Sequence, residues 1–334
     1  MIVKTLKSSR ARTLAILCLL LFPVSAMSVE VDIQHLLNTV YAKVKAITKG
    51  KNPTYIPALA AVDPKLFAIS LVTVDGKIYS VGDTNVLFPI ESISKPFILA
   101  AVMDHIGASG IVEKIGVNAT GFPFNSIEAI EEHTDRSVNP LVNAGALAVV
   151  SLIPAANAAQ RWKVIQERLN AFSGRKLHVM ENIYKSESET NGRNQAIAKL
   201  LSVYGRLYAN PEETVEAYTR MCSVGVTVQD VAIMGAAYAN AGRNPISKKA
   251  VVKAENVPKI LAVMATAGLY DTSGLWLYNV GLPAKSGVGG GIFAVMPGRF
   301  SIAAFSPPLD EAGNSVRAQQ AIKEIAKNLN ASIF

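Results

Sequence analysis

The chain has 334 residues, half of them apolar and 17% charged, with a formal net charge of +8. That composition supports a sizeable buried core and excludes a chain disordered throughout. Lys4, Lys7, Arg10 and Arg12 stand in an acid-free leader, so the remainder carries only +4; with no Lys/Arg run interleaved with aromatics after residue 30, a nucleic-acid partner is unsupported.

The first 26 residues read as a secretory signal: a basic stretch through Arg12, an apolar run from Leu14 to Phe22, then Val24-Ser25-Ala26 as a small-residue cleavage site before Met27. The run is well short of the ~20 apolar residues that span a bilayer, so no membrane association is expected after cleavage. Cys18 does not make a lipoprotein signal, because Leu17 precedes it where a small residue is needed. The expected location is periplasmic or secreted, or cytoplasmic if translation begins at Met27. Without the leader, Cys222 is the remaining cysteine, which leaves no intrachain disulfide; a lone cysteine reads as a small buried hydrophobe. His35, His105, His133 and His178 lack metal-ligand spacing and there is no CxxC, so neither a metal nor an organic cofactor is expected.

An amphipathic helix is predicted over 31–48, followed by a strand at Phe67 to Val74 and a tight turn at Asp75-Gly76 into a second strand, Lys77 to Val81. From about residue 92 to 270 the periodicity is mostly helical, as in Pro211 to Met221 and Val228 to Ala241. A second hairpin is predicted from Gly291 to Met296, through Pro297-Gly298-Arg299, to Phe300 to Phe305. Ala318 to Leu329 closes the chain as an amphipathic helix with Ile322, Ile325, Ala326 and Leu329 on one face. One α/β (α+β) domain over 27–334 follows: an antiparallel sheet assembled from both chain ends and flanked by helices (about 30–91 and 271–334), with a helical lobe inserted at about 92–270.

Ser92-Ile93-Ser94-Lys95 is an S-x-x-K at the start of an apolar helix. Residues three apart share a helical face, so the Ser92 hydroxyl and the Lys95 amine are within reach of each other. Burial in an apolar helix would lower the lysine pKa and let it take the serine proton. Late in the chain comes Lys285-Ser286-Gly287, then Val288-Gly289-Gly290-Gly291 and a strand. Serine acylases of the β-lactamase and transpeptidase class pair S-x-x-K with a late K-[ST]-G in this order, and a β-lactamase/transpeptidase-like fold is expected. That class spans several activities, so the motifs alone do not choose among them.

Further segments narrow the choice. Tyr55-Ile-Pro-Ala-Leu, Thr73-Val-Asp-Gly76, Glu91-Ser-Ile-Ser-Lys95, Asn139-Pro-Leu-Val-Asn-Ala-Gly-Ala146, Glu187 through Arg193-Asn194, Tyr270-Asp271, the stretch Gly281 to Gly291 and Ser306-Pro-Pro-Leu-Asp310 stand in one order. In these the chain resembles the bacterial serine-dependent glutaminases from about residue 37 to its end. The resemblance implies hydrolysis of L-glutamine to L-glutamate and ammonia through an acyl-enzyme. Ser92 matches the nucleophile, Lys95 its base, and Tyr270 the tyrosine that shares in proton transfer. The backbone N–H groups of Ser92 and Val288 match the oxyanion donors, and Tyr55, Asn143, Glu187, Asn194 and Tyr218 match positions that hold glutamine. Lys285 is left open between proton transfer, tuning of Lys95 and structural pairing. The resemblance also implies a homodimer or homotetramer. A β-lactamase or peptidoglycan amidase of the same fold, and a periplasmic amino-acid-binding protein without catalysis, are the rival readings. Thr54 and Arg317-Ala318 depart from the family pattern without touching a motif residue.

Overall fold

The computed structural model describes residues 32–334 apart from 135 and 137; the predicted signal segment lies outside the described residues. Five strands form the main sheet: β1 (Ala68–Thr73), β2 (Ile78–Gly82), β6 (Ala284–Ser286), β7 (Gly291–Met296) and β8 (Phe300–Phe305). Their order is β2-β1-β8-β7-β6, and every neighbouring pair is antiparallel. The two predicted hairpins are thus joined edge to edge, β1 pairing with β8 from Ala68 opposite Phe305 to Thr73 opposite Phe300. Gly76 and Gly298 take positive φ (95° and 73°), which is what their turns need.

Both sheet faces are covered, which explains why β1 is buried from Ala68 to Val72, Ser70 included, rather than on alternate residues. Ala68 and Val72, with Phe293, Val295, Ala303 and Phe305, enter a core with the helix Val228–Ala239. Ile69 and Leu71, with Ile292, Ala294, Ile302 and Ala304, point the other way, into a core with Leu37, Val40, Ile322 and Ile325. The latter four come from the helices Ile33–Lys45 and Val316–Asn328, so the first and last described helices lie side by side on one face. Ile322, Ile325, Ala326 and Leu329, predicted to share a face, are all buried. Arg317 helps to tie this layer together: its guanidinium donates to the carbonyls of Ile47 and Pro64 and to Ser306 Oγ.

Between the hairpins the chain is mainly helical, and a small sheet is threaded through it. Its strands β3 (Phe88–Pro89), β4 (His178–Val179) and β5 (Val224–Val226) run in the order β3-β5-β4. Such two- and three-residue strands have no periodicity for a sequence to display, yet they fix Ile90, whose N–H donates to Val224 O (2.8 Å), at the entrance to the S-x-x-K turn. The helix Lys95–Lys114 leads away from that turn through the core and breaks at Gly107.

Candidate active site

Ser92 lies in a single 3-10 turn, Glu91–Ser94, and Lys95 is the first residue of the following helix. The turn starts from a strained residue: Glu91 has φ 48°, a region costly for a side chain with a Cβ. In the first turn of a helix the backbone N–H groups have no intrahelical acceptor, so the Ser92 amide is left free to face the site.

The turn after β6 packs directly over this segment, an approach that needs glycine at position 289 and is tight at 287. A Cβ at Gly289 would sit 2.5 Å from Pro89 O, and one at Gly287 would meet Ile90 O at 3.1 Å and Glu91 Cβ at 3.2 Å. Val288 is carried between them, and among the described residues its N–H has no protein acceptor. Ser92 and Val288 both line one cavity of about 260 Å³, together with Tyr55, Asn143, Glu187, Asn194 and Tyr218. Seven of the predicted site residues therefore meet in one small space.

The other three stand behind its wall. Lys95 is 2% exposed; its Nζ donates to Asn143 Oδ1 (2.8 Å) and more weakly to Leu141 O (3.4 Å). Burial lowers its pKa from 10.5 to about 8, against the opposing pull of Cys222 and Glu91. No hydrogen bond joins Lys95 Nζ to Ser92 Oγ among the described residues, but two bonds leave one of the ammonium's three donor positions for that hydroxyl. Tyr270, at φ 56°, is packed against Phe124 with ring centroids 4.6 Å apart. Burial raises its phenol above the ordinary value, against the lowering effect of hydrogen bonds with Ser92 and Ser286. Lys285 is fully buried in β6; its Nζ donates to Gly268 O (2.8 Å) and Ser286 O (2.7 Å) and lies 4.3 Å from the Tyr270 ring centroid. Burial, then repulsion from Lys95, holds that amine well below its usual range.

Around Asn143 runs a polar chain. Its Oδ1 accepts from Lys95 and from the Tyr218 hydroxyl (3.2 Å), and its Nδ2 donates to Asn194 Oδ1 (2.9 Å). Asn143 opens the helix Asn143–Ser151, while Asn194 and Tyr218 come from the helices Gly192–Val203 and Pro211–Cys222. Three helices thus converge on one amide, which fixes its orientation.

Part of the cavity wall is acidic. Glu187, on the helix Glu181–Thr190, accepts from Ser223 Oγ (3.4 Å) and is pushed up to about 7, chiefly by burial. Glu91 is buried beside it and is raised well above the usual carboxylate range by burial and by the negative charge of Glu187. Two carboxyl groups this close share a proton, as like charges in a dry site cannot both ionise at little cost. Glu91 was missed as a site residue, although a carboxylate directly before the S-x-x-K serine in an apolar stretch was a signal for it. Cys222, read from the sequence as an inert core residue, lies on the cavity wall, as do Phe124 and Arg193.

A buried hydroxyl one turn from an amine of lowered pKa, two free backbone donors and an amino-acid-sized cavity with acidic residues in its wall are suited to breaking the amide bond of a small substrate that carries an ammonium group. A glutaminase family model matches residues 50–334. The chain belongs to the glutaminase family. A glutaminase of Colwellia psychrerythraea is 54% identical over 302 residues, covering 90% of this chain and 97% of the relative. One from Brucella canis is 52% identical over 287 residues, covering 86% and 90%. The solved probable glutaminase ybaS superposes with a TM-score of 0.89 at 46% identity, covering 90% of this chain and 98% of that one. The activity is therefore that of a glutaminase, an amidohydrolase acting on L-glutamine, on the β-lactamase-like fold that the paired motifs implied. The rival activities named from the sequence fall away with this assignment.

Proposed function

We propose that this glutaminase works through Ser92 as nucleophile and Lys95 as base, with L-glutamine held by its α-ammonium at Glu187. The observation that carries the reading is the buried Lys95 amine at a pKa of about 8, one turn from a serine that opens onto the cavity. Neutral Lys95 takes the Ser92 proton as Oγ attacks the side-chain carbonyl carbon. The N–H groups of Ser92 and Val288 receive the negative oxygen of the tetrahedral intermediate. The proton then passes to the amide nitrogen, with Tyr270 sharing in the transfer, and ammonia leaves. Water attacks the γ-glutamyl ester, Lys95 accepts a proton from it, and Ser92 recovers its hydrogen as glutamate departs.

Specificity follows from the two ends of the cavity. Glu187 as carboxylate pairs with the α-ammonium, while Asn194, Tyr218 and Tyr55 offer neutral donors to the α-carboxylate and the amide. Asn143 is already bonded to Lys95, Tyr218 and Asn194, and so couples the base to the substrate wall. A cavity of about 260 Å³ lies below the ~300–1,000 Å³ of sites for drug-sized ligands and suits a free amino acid. Lys285, with its donors committed to two carbonyls beneath the Tyr270 ring, acts as a positioning residue.

Ser92→Ala is the direct test: ammonia release falls to background while the circular dichroism spectrum and unfolding temperature stay those of the parent. Retained turnover would refute the nucleophile assignment. Export and assembly belong to the same reading. Cleavage before Met27 predicts a periplasmic or secreted protein whose first residue, read by N-terminal sequencing, is Met27. A homodimer or homotetramer is favoured by the family resemblance and by Leu275 and Tyr278, exposed at 65% and 89%; sedimentation at a monomer's mass would refute it.

A further inference from the structure

Beneath the amino-acid cavity lies a set of groups that the hydrolytic steps do not use together. The thiol of Cys222 and the carboxyl groups of Glu91 and Glu187 offer ligand atoms that all lie within 4.8 Å of one another, and all three residues are buried. We propose that Glu91, Glu187 and Cys222 form a site for a thiophilic divalent cation such as zinc(II), and that its occupation blocks the ammonium end of the glutamine pocket.

The geometry is close to what such an ion needs. With bonds of about 2.3 Å to sulfur and about 2.0–2.2 Å to oxygen, tetrahedral ligands stand roughly 3.5 Å apart, so atoms up to 4.8 Å apart need to draw in by at most about 1.3 Å. A second observation points to an incomplete shell: Glu91 is only 4% exposed, yet no N–H or hydroxyl donor among the described residues reaches its buried Oε1, which leaves the proton held with Glu187 as the pair's one internal link. An ion would satisfy that oxygen. All three residues open onto the cavity, which supplies a path of entry and room for water in the fourth position.

Ligand type selects the ion. One thiolate with two carboxylates favours zinc, cobalt or cadmium, whereas magnesium and calcium prefer an all-oxygen shell. At present the charge is balanced by protons: burial keeps the Cys222 thiol protonated, and the two carboxyl groups share a proton. Binding therefore displaces two protons, one from sulfur and one from the carboxyl pair, and leaves a thiolate and two carboxylates around a 2+ ion with the charge of Lys95 nearby. Because Glu187 cannot serve the metal and the substrate α-ammonium at once, the two exclude each other. That last step rests on the glutamine pose proposed above; the metal site itself does not.

The test uses the full-chain protein titrated with cobalt(II), followed by absorbance in the thiolate-to-cobalt charge-transfer region and then displacement with zinc(II). One equivalent should generate the band. Cys222→Ser should abolish it. In the ammonia-release assay zinc should raise the apparent KM for glutamine without lowering kcat, and magnesium at the same concentration should have no effect. A missing band, a band that survives Cys222→Ser, or zinc inhibition unchanged in that variant overturns the proposal. If Cys222→Ser does not fold, Glu91→Gln removes a ligand with little change of shape. Cobalt affinity should then fall at least tenfold, and an unchanged value overturns the site. Since the band is read without substrate, its failure leaves the glutaminase mechanism standing, while retained turnover in Ser92→Ala would leave the metal site standing.

Discussion

If Lys95 is the base, the rate should follow its neutral fraction, and the structure fixes where that fraction changes. At its ordinary pKa of 10.5 the amine would be about 0.03% neutral at pH 7; at about 8 it is about 9% neutral, a gain of roughly 300-fold. Glu187 must be ionised to hold the α-ammonium and titrates at about 7 in the free enzyme, so kcat/KM should climb with a combined slope from both groups below pH 7. Once glutamine is bound, the ammonium keeps Glu187 charged, and kcat isolates Lys95. Measured by ammonia release at saturating glutamine, kcat should rise about tenfold per pH unit from pH 6, bend near pH 8 and level by pH 9. Lys95→Arg, which keeps the charge but loses the base, should remove that limb and cost about 10²–10⁴-fold. A kcat flat from pH 6 to 9, or a Lys95→Arg enzyme within tenfold of the parent, would refute the assignment.

Three other outcomes follow from the same geometry. Gly289→Ala puts a Cβ 2.5 Å from Pro89 O, so the turn carrying Val288 must lift; kcat should drop on the order of 10²-fold with KM little changed, as for loss of one oxyanion donor. Glu187→Gln removes the carboxylate from the ammonium, and KM for glutamine should rise roughly 100-fold, about 3 kcal/mol, in steady-state kinetics. Asparagine is shorter by one methylene, so with its ammonium at Glu187 its amide stops short of Ser92; kcat/KM at least about 100-fold below that for glutamine is expected, and equal rates would refute this placement.

The parts of the fold legible in the sequence are those in which local chemistry and tertiary structure agree. Asp75-Gly76 and Pro297-Gly298 mark their hairpins because the turns need positive φ at those glycines. Gly291–Met296 and Phe300–Phe305 match the predicted strands, and cover on both faces of the sheet accounts for apolar residues of β1 and β8 that point both ways. Ser92, Lys95, Glu187 and the others were found through motif order and kinship, and the cavity gathers seven of them. Glu91 and Cys222 were not, because each looks ordinary alone: only the packing of the Glu91–Ser94 turn against the helices Glu181–Thr190 and Pro211–Cys222 brings their side chains together. The small sheet was invisible for a similar reason, its strands being too short to carry a period.

Lys285 is where geometry decides between roles that the sequence left open. A proton-transfer group would point its nitrogen toward the reacting atoms, whereas Lys285 Nζ is bonded to Gly268 O and Ser286 O and sits under the Tyr270 ring. Those carbonyls flank the segment leading to Tyr270 and the strand leading to Val288, so the lysine holds both in place, including the positive φ of Tyr270. As a tuner, a charged Lys285 would repel the Lys95 ammonium, and its removal would raise the Lys95 pKa and move the kcat limb to higher pH. As a positioning group kept largely neutral by burial, its removal should leave that limb near pH 8 and lower kcat through misplaced Tyr270 and Val288. Lys285→Met should therefore reduce kcat by roughly 10–100-fold with the bend in the profile within about 0.3 pH of the parent. An upward shift of a full unit would show instead that Lys285 carries its charge in the folded enzyme and acts on the base through it.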